Sequence, residues 1–106
     1  MTKNIMLVCS AGMSTSMLVT RMEQAAKANN LEVNIFARSA SEAETIIENE
    51  KLAAILLGPQ VRFMLQQFKE KVEQYHTPVA VINMSDYGMM NGEKVLQFAM
   101  EMIGGA

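Results

Sequence analysis

The sequence predicts an α/β fold: a parallel four-stranded sheet with helices on both faces. Four short runs of Ile, Leu, Val and Ala alternate with stretches whose apolar residues recur at helical spacing, in the order βαβαβαβα. Leu52-Ala53-Ala54-Ile55-Leu56-Leu57 is apolar throughout, as expected of a parallel strand buried on both faces. The length of 106 residues, half of them hydrophobic and 19% charged, suits one packed core, so a single domain over residues 1–106 is expected.

The elements follow in order. Ile5-Met6-Leu7-Val8 reads as the first strand, with Cys9 at its end. A helix is expected from about Ser16 to Ala28, because Leu18, Met22, Ala25 and Ala26 fall at i, i+4, i+7 and i+8, and Asn29-Asn30 ends it. Leu31 to Phe36 alternates, which suits a strand at a sheet edge with one face partly wet. Ser41 with Glu44 has the form of a capping box before the stripe Ala43, Ile46 and Ile47, in a short helix ending near Lys51. The apolar run 52–57 should be a central strand. Gly58-Pro59-Gln60 then turns the chain into an amphipathic helix traced by Val61, Met64, Leu65, Phe68 and Val72. After Thr77-Pro78, Val79 to Ile82 reads as a fourth buried strand and Asn83 to Asn91 as a loop. Gly92 to Ile103 is the last helix, with Val95, Leu96, Ala99 and Ile103 inward, before Gly104-Gly105.

Right-handed crossovers through this order give a flavodoxin-like sheet with strand order 2-1-3-4. Ligands of such sheets bind beyond the carboxyl ends of the strands, where the strand order reverses. The loops at Cys9 to Ser16, Gly58 to Gln60 and Asn83 to Asn91 all fall at that end.

Composition narrows the function. A formal net charge of −2 with no basic run leaves no electrostatic footprint for nucleic acid or an anionic membrane. The apolar runs are too short to span a bilayer, and Met1-Thr2-Lys3-Asn4 lacks the anatomy of a signal peptide, so a cytoplasmic protein is expected. One cysteine and one histidine make neither an internal disulfide nor a structural zinc site, and no metal or cofactor is invoked. Eleven methionines are unusual; Met17, Met64 and Met100 fall at expected core positions, whereas Met13, Met89 and Met90 lie in expected loops as an adaptable contact surface.

The stretch Cys9-Ser10-Ala11-Gly12-Met13-Ser14-Thr15-Ser16 carries the chemistry. Strand, small-residue loop and helix start are the parts of an anion cradle, in which backbone N–H groups and the positive end of a helix hold phosphate. The same field favours the thiolate of a neighbouring cysteine. A lone cysteine ending a strand is by default an inert buried thiol, but its hydroxyl-rich, glycine-containing context makes Cys9 an accessible nucleophile in expectation. Cysteine phosphatases place an arginine six residues after the thiol; here Thr15 stands there, and residues 9–16 hold no charge. Amides and hydroxyls without an arginine fork suit a carrier that receives and gives up a phosphoryl group better than a hydrolase.

Together with Gly58-Pro59-Gln60 and Tyr87-Gly88, this stretch resembles the IIB component of the bacterial phosphoenolpyruvate-dependent sugar phosphotransferase system, lactose/cellobiose type, and within it the cellobiose and related β-glucoside members. The resemblance spans essentially the whole chain. It implies a cytoplasmic phosphoryl carrier in which Cys9 takes the group from a phosphohistidine of a IIA partner. Cys9 would then pass it to a sugar held by the membrane IIC partner, with Ser10, Ala11, Gly12, Met13, Ser14, Thr15 and Ser16 as the phosphate cradle. The alternatives left open are a low-molecular-weight cysteine phosphatase or arsenate-reductase-like hydrolase, and a small binding or receiver module. The last lacks an acidic cluster after the first strand.

Outside the loop, Gln60 either reaches the phosphate or a partner or faces solvent. Tyr87 either closes over the site or meets a partner, and Asp86 is either a general acid or a turn residue. Arg62 and Arg21 read as surface residues. His76, the only histidine, belongs to a connection at the opposite end of the sheet. Met89-Met90 has no match in the resemblance.

Overall fold

The alternating runs become one parallel sheet in a computed structural model that describes residues 2–10 and 12–105, with the backbone alone for residues 12–14 and 105. Its strands are β1 (Lys3–Cys9), β2 (Val33–Ser39), β3 (Ala54–Leu57) and β4 (Val79–Val81), in the order β2-β1-β3-β4. All three pairings are parallel. The helices are α1 (Gly12–Ala28), α2 (Ala40–Asn49), α3 (Leu65–Val72), α4 (Met84–Gly88) and α5 (Gly92–Gly105).

Strand periodicity divides the core between two faces. Ile5, Leu7 and Leu56 meet Leu18 and Met22 of α1 and Val95, Leu96 and Ala99 of α5. Met6, Val8, Ile55 and Leu57 meet Ala43 and Ile47 of α2 and Phe68 and Val72 of α3. Because helices cover both faces, β3 has no polar residue to offer, which is why it reads as a continuous apolar run. Each fully buried aliphatic side chain contributes about 1.5–3 kcal/mol relative to exposure.

Several boundaries differ from the sequence expectation, each for a physical reason. Helix α1 takes Gly12 as its first residue, four positions earlier than expected. Hydroxyl residues compete with the backbone and read locally as cap chemistry, but the Thr15 hydroxyl is engaged across the fold by Tyr87 at 2.9 Å. Strand β2 starts at Val33, because Leu31 still belongs to the end of α1. Asn30 is left-handed at φ 55°, its N–H donates to Lys27 O, and the Leu31 N–H donates to Ala26 O at 2.9 Å, which together make a Schellman closure. The strand then runs on to Ser39, since its pairing with β1 continues from Lys3↔Val33 to Cys9↔Ser39.

The capping box of α2 lies two residues before the expected pair. The N–H and the hydroxyl of Ser39 both donate to Glu42 Oε1, at 3.1 and 3.0 Å. Ser41 instead bonds the Ser39 hydroxyl, and Glu44 pairs with Lys71 Nζ at 3.2 Å. After β3 the chain first winds as a 3₁₀ segment, Pro59–Met64, broken at Val61, and becomes α-helical only at Leu65. Strand β4 is an edge strand with Ala80 and Val81 half-buried. The expected loop after it contains α4, because the Asn83 side chain caps it, accepting from the N–H groups of Ser85 and Asp86. Met17, expected in the core, is exposed on α1. Helix α5 continues through the terminal glycines to Gly105.

Candidate functional site

Cys9 is the last residue of β1, and the alternation along the strand puts its side chain on the α1/α5 face. Ser39 lies opposite it on β2. On the other flank the Gly58 N–H donates to Val8 O at 2.8 Å, carrying the ladder one residue past β3. The thiol is therefore held between the two neighbours of the central strand, where the strand order reverses.

The sequence expectation of an accessible thiol is corrected. Cys9 is 2% exposed, and its Sγ donates to Arg38 O at a sulfur distance of 3.9 Å. The reason is the extension of β2 to Ser39, which brings the Arg38 carbonyl against the sulfur. Arg38 itself lies with its guanidinium over the Phe36 ring, 4.9 Å from the centroid, and Nη1 donates to Ala37 O. Neither Arg38 nor Ser39 emerges as a site neighbour from the sequence. The signal that would have found them is the length of β2, since only a strand running to residue 39 ends beside Cys9.

The expected phosphate cradle spans the last residues before α1 and the first turns of that helix. A helix leaves the N–H groups of its first turn without intrahelical partners, so the donors available to an anion are those around Gly12, Met13 and Ser14. Ala11 and the side chains of Gly12, Met13 and Ser14 lie outside the described residues. Ser10 is exposed. Thr15 is 1% exposed, and its hydroxyl is bonded to Tyr87 Oη. Ser16 is exposed further along α1, where its carbonyl accepts from Thr20 Oγ1 at 3.2 Å.

Gln60 and Tyr87 both reach the reversal point. A Cβ built on Gly58 would fall 2.8 Å from Gln60 Oε1, 3.4 Å from Val8 O and 3.7 Å from Tyr87 Cε2. The carboxamide of Gln60 thus folds back over Gly58 although the residue is exposed, and the Tyr87 ring lies against the same glycine. Arg62 bonds back to Pro59 O at 3.0 Å. Asp86 is half-buried in the first turn of α4, and its carbonyl accepts from the Asn91 N–H. Arg21 donates to Met90 O at 3.3 Å. His76 ends the 3₁₀ turn before β4, at the amino end of the sheet as expected.

Large apolar side chains rim this end. Phe63 is 80% exposed, Met89 70% and Met84 64%, with Met17 on the adjoining helix. Nearby, the carboxyl of Glu42 is held below its ordinary value, first by the Ser39 N–H, then by the Ser39 hydroxyl and the charge of Arg38. Among the described residues no cluster of three His, Cys, Asp or Glu side chains is placed to hold a metal ion. No described helix is long and apolar enough to cross a membrane.

The fold and the site define a class: small doubly wound α/β proteins whose first strand delivers a cysteine to the head of the first helix, at the switch point of the sheet. Within that class the chain belongs to the lactose/cellobiose-specific IIB subunits of the sugar phosphotransferase system, whose family model matches residues 4–98. It is 43% identical to the galactose-specific EIIB component of Lactococcus lactis subsp. cremoris, with 95% of this chain and 96% of the relative covered. The cellobiose-specific EIIB component of Lactococcus lactis subsp. lactis matches at the same identity and coverage. In structure, the cellobiose-specific phosphotransferase IIB component of Borrelia burgdorferi superposes with a TM-score of 0.79 at 41% identity, over 99% of this chain and 94% of that one. The lactose-specific IIB domain of Streptococcus pneumoniae superposes with a TM-score of 0.82 at 17% identity, covering 96% of this chain and 98% of that one, a likeness of fold alone. Membership makes this chain a phosphotransferase component of sugar uptake.

Proposed function

We propose that residues 1–106 act as one cytoplasmic IIB domain in which Cys9 is the phosphoryl carrier between a IIA protein and a β-glucoside-type sugar of the cellobiose class held by the membrane IIC protein. The observation that supports this most directly is the position of Cys9 at the reversal point of the sheet, before the first turn of α1, in a chain of a sugar-phosphotransferase family. In the first step the S–P bond forms as the N–P bond of the donor phosphohistidine breaks, and the thiol proton passes to the released imidazole. In the second the sugar hydroxyl attacks phosphorus, the S–P bond breaks, and the hydroxyl proton returns to sulfur. Before the first step Sγ must exchange its contact with Arg38 O for the incoming phosphorus. First-turn amides of α1 then hold the dianion. The exposed Phe63, Met84 and Met89 offer the protein partners an apolar rim around that exchange.

A hydrolase gains no support: the position where cysteine phosphatases carry arginine holds a buried threonine engaged by tyrosine. The protein, incubated with phosphoenolpyruvate, the general phosphotransferase proteins and a matching IIA, is expected to carry phosphate on Cys9 by mass spectrometry, and to lose it to cellobiose when IIC vesicles are added. The Cys9→Ser variant should acquire none. Phosphate found only elsewhere, or hydrolysis of an aryl phosphate without partners, would overturn the assignment.

A further inference from the structure

Thr15 is 1% exposed, and the partner of its hydroxyl is 72 positions away. Thr15 belongs to the first turn of α1, which begins three residues after Cys9. Tyr87 belongs to α4 beyond β4, and is itself 7% exposed. Their oxygens stand 2.9 Å apart.

The tyrosine is fixed from its own side. Asn83 caps α4 through two backbone N–H groups, and the Tyr87 N–H donates to Asn83 O at 2.9 Å. Just before Asn83, the Ile82 N–H donates to Leu57 O at 2.8 Å, tying the segment to the end of β3. The ring then lies against Gly58, where no side chain separates it from the strand ends. From this footing the phenol reaches the base of α1. A hydroxyl pair in a buried site is directional, and at low local dielectric it holds the two elements in one mutual orientation. The pair therefore fixes how α1 sits relative to β3 and β4, and so where its first-turn amides point.

We propose that Tyr87 and Thr15 are positioning residues for phosphoryl transfer: their buried hydrogen bond holds the first turn of α1 in the orientation that receives the phosphoryl group on Cys9. This rests on the carrier function proposed above. It also gives the absence of an arginine six residues after Cys9 a structural meaning, since that position is spent on fixing the helix from inside the core.

The test is single-turnover transfer from phosphorylated IIA to four variants: Tyr87→Phe, Thr15→Val, Thr15→Ser and the double variant Thr15→Val/Tyr87→Phe. Displacing reacting groups by about 1 Å can cost up to about a hundredfold, so Tyr87→Phe and Thr15→Val are each expected to lower the maximal transfer rate about tenfold. The half-saturating IIA concentration should stay unchanged. Thr15→Ser, which keeps the hydroxyl, should restore most of the rate, and the double variant should be no slower than the worse single one. Amide hydrogen exchange in the first turns of α1 should quicken in Tyr87→Phe, a readout that needs no partner.

Wild-type rates in both single variants, losses that multiply in the double, or unchanged exchange in α1 would overturn the positioning role. A raised half-saturating IIA concentration at unchanged maximal rate would overturn it too, making Tyr87 a partner contact. A wild-type protein that takes no phosphoryl group on Cys9 would instead overturn the carrier function, with the exchange measurement still deciding whether the bond orders α1.

Discussion

The two ends of the sheet distribute polarity in opposite ways. At the amino end the side chains that close the turns are polar ones at or near the surface: Asn4 donates to Lys51 O, Asn29 to Ala25 O and Asn49 to Thr45 O, while Asn30 and His76 take left-handed conformations in the open. At the carboxyl end some polar side chains are buried while several large apolar ones are exposed. Cys9, Thr15 and Tyr87 are buried there, and Phe63, Met84 and Met89 stand in solvent. Stability alone gives no reason to expose a phenylalanine while burying a hydroxyl pair. A rigid polar frame under an apolar rim is what a site needs when a partner must dock and a group must be placed. The amino end only has to close connections.

That contrast predicts damage of different kinds. The largest effect in this set is expected at Gly92, where α5 begins against α1. A Cβ there would stand 2.5 Å from Arg21 C and 2.6 Å from Met22 N, both backbone atoms that cannot swing away. Gly92→Ala must push the two helices apart, and overpacking of this kind costs about 1–3 kcal/mol. Urea denaturation should record that loss. Because α1 carries the first-turn amides, the rate of Cys9 phosphorylation should fall as well. A destabilised variant with an undiminished rate would mean that the seating of α1 does not matter to transfer.

Much of the fold is legible in the sequence because burial on two faces imposes simple patterns. The run at 52–57 announces a central strand, and Leu18, Met22 and Ala26 announce the inner face of α1. The position of Cys9 at the reversal point also follows from element order alone. The details of the site do not. Nothing local in Ser14-Thr15-Ser16 reveals that Thr15 meets a tyrosine from the last third of the chain, so the helix start is misread as a loop. The end of β2 depends on a partner strand that no local pattern displays, and with it go the burial of Cys9 and the nearness of Arg38. Asn83 illustrates the remaining gap: its carboxamide caps α4, yet Asn is equally at home in an open loop.

A smaller effect of opposite sign is expected at the amino end. His76 holds φ 57° without being glycine, a conformation that asparagine tolerates better. His76→Asn should therefore gain about 0.5 kcal/mol in denaturation, a fraction of the usual left-handed penalty. Transfer from phosphorylated IIA to Cys9 should be unchanged. A variant that folds but no longer takes phosphate would place a functional group at the end argued to be purely structural, and would break the comparison.

The smallest effect concerns acid stability at the carboxyl end. Glu42 is exposed, yet the Ser39 N–H, the Ser39 hydroxyl and Arg38 all favour its ionised form, so its folded-state value lies below the ordinary 4.5. A depressed carboxyl stabilises the folded state fully above its unfolded value, and that contribution is lost as pH falls through the folded one. Stability measured from neutral pH downward should thus contain a component that disappears below 4.5, the ordinary value from which Glu42 is lowered. Glu42→Gln should remove that component while keeping a side-chain oxygen for the Ser39 N–H. If the wild-type and Glu42→Gln curves stay parallel through that window, the charge of Glu42 adds nothing to the cap. The junction of β2 and α2 beside Cys9 would then be held by neutral hydrogen bonds, as the turns of the amino end are.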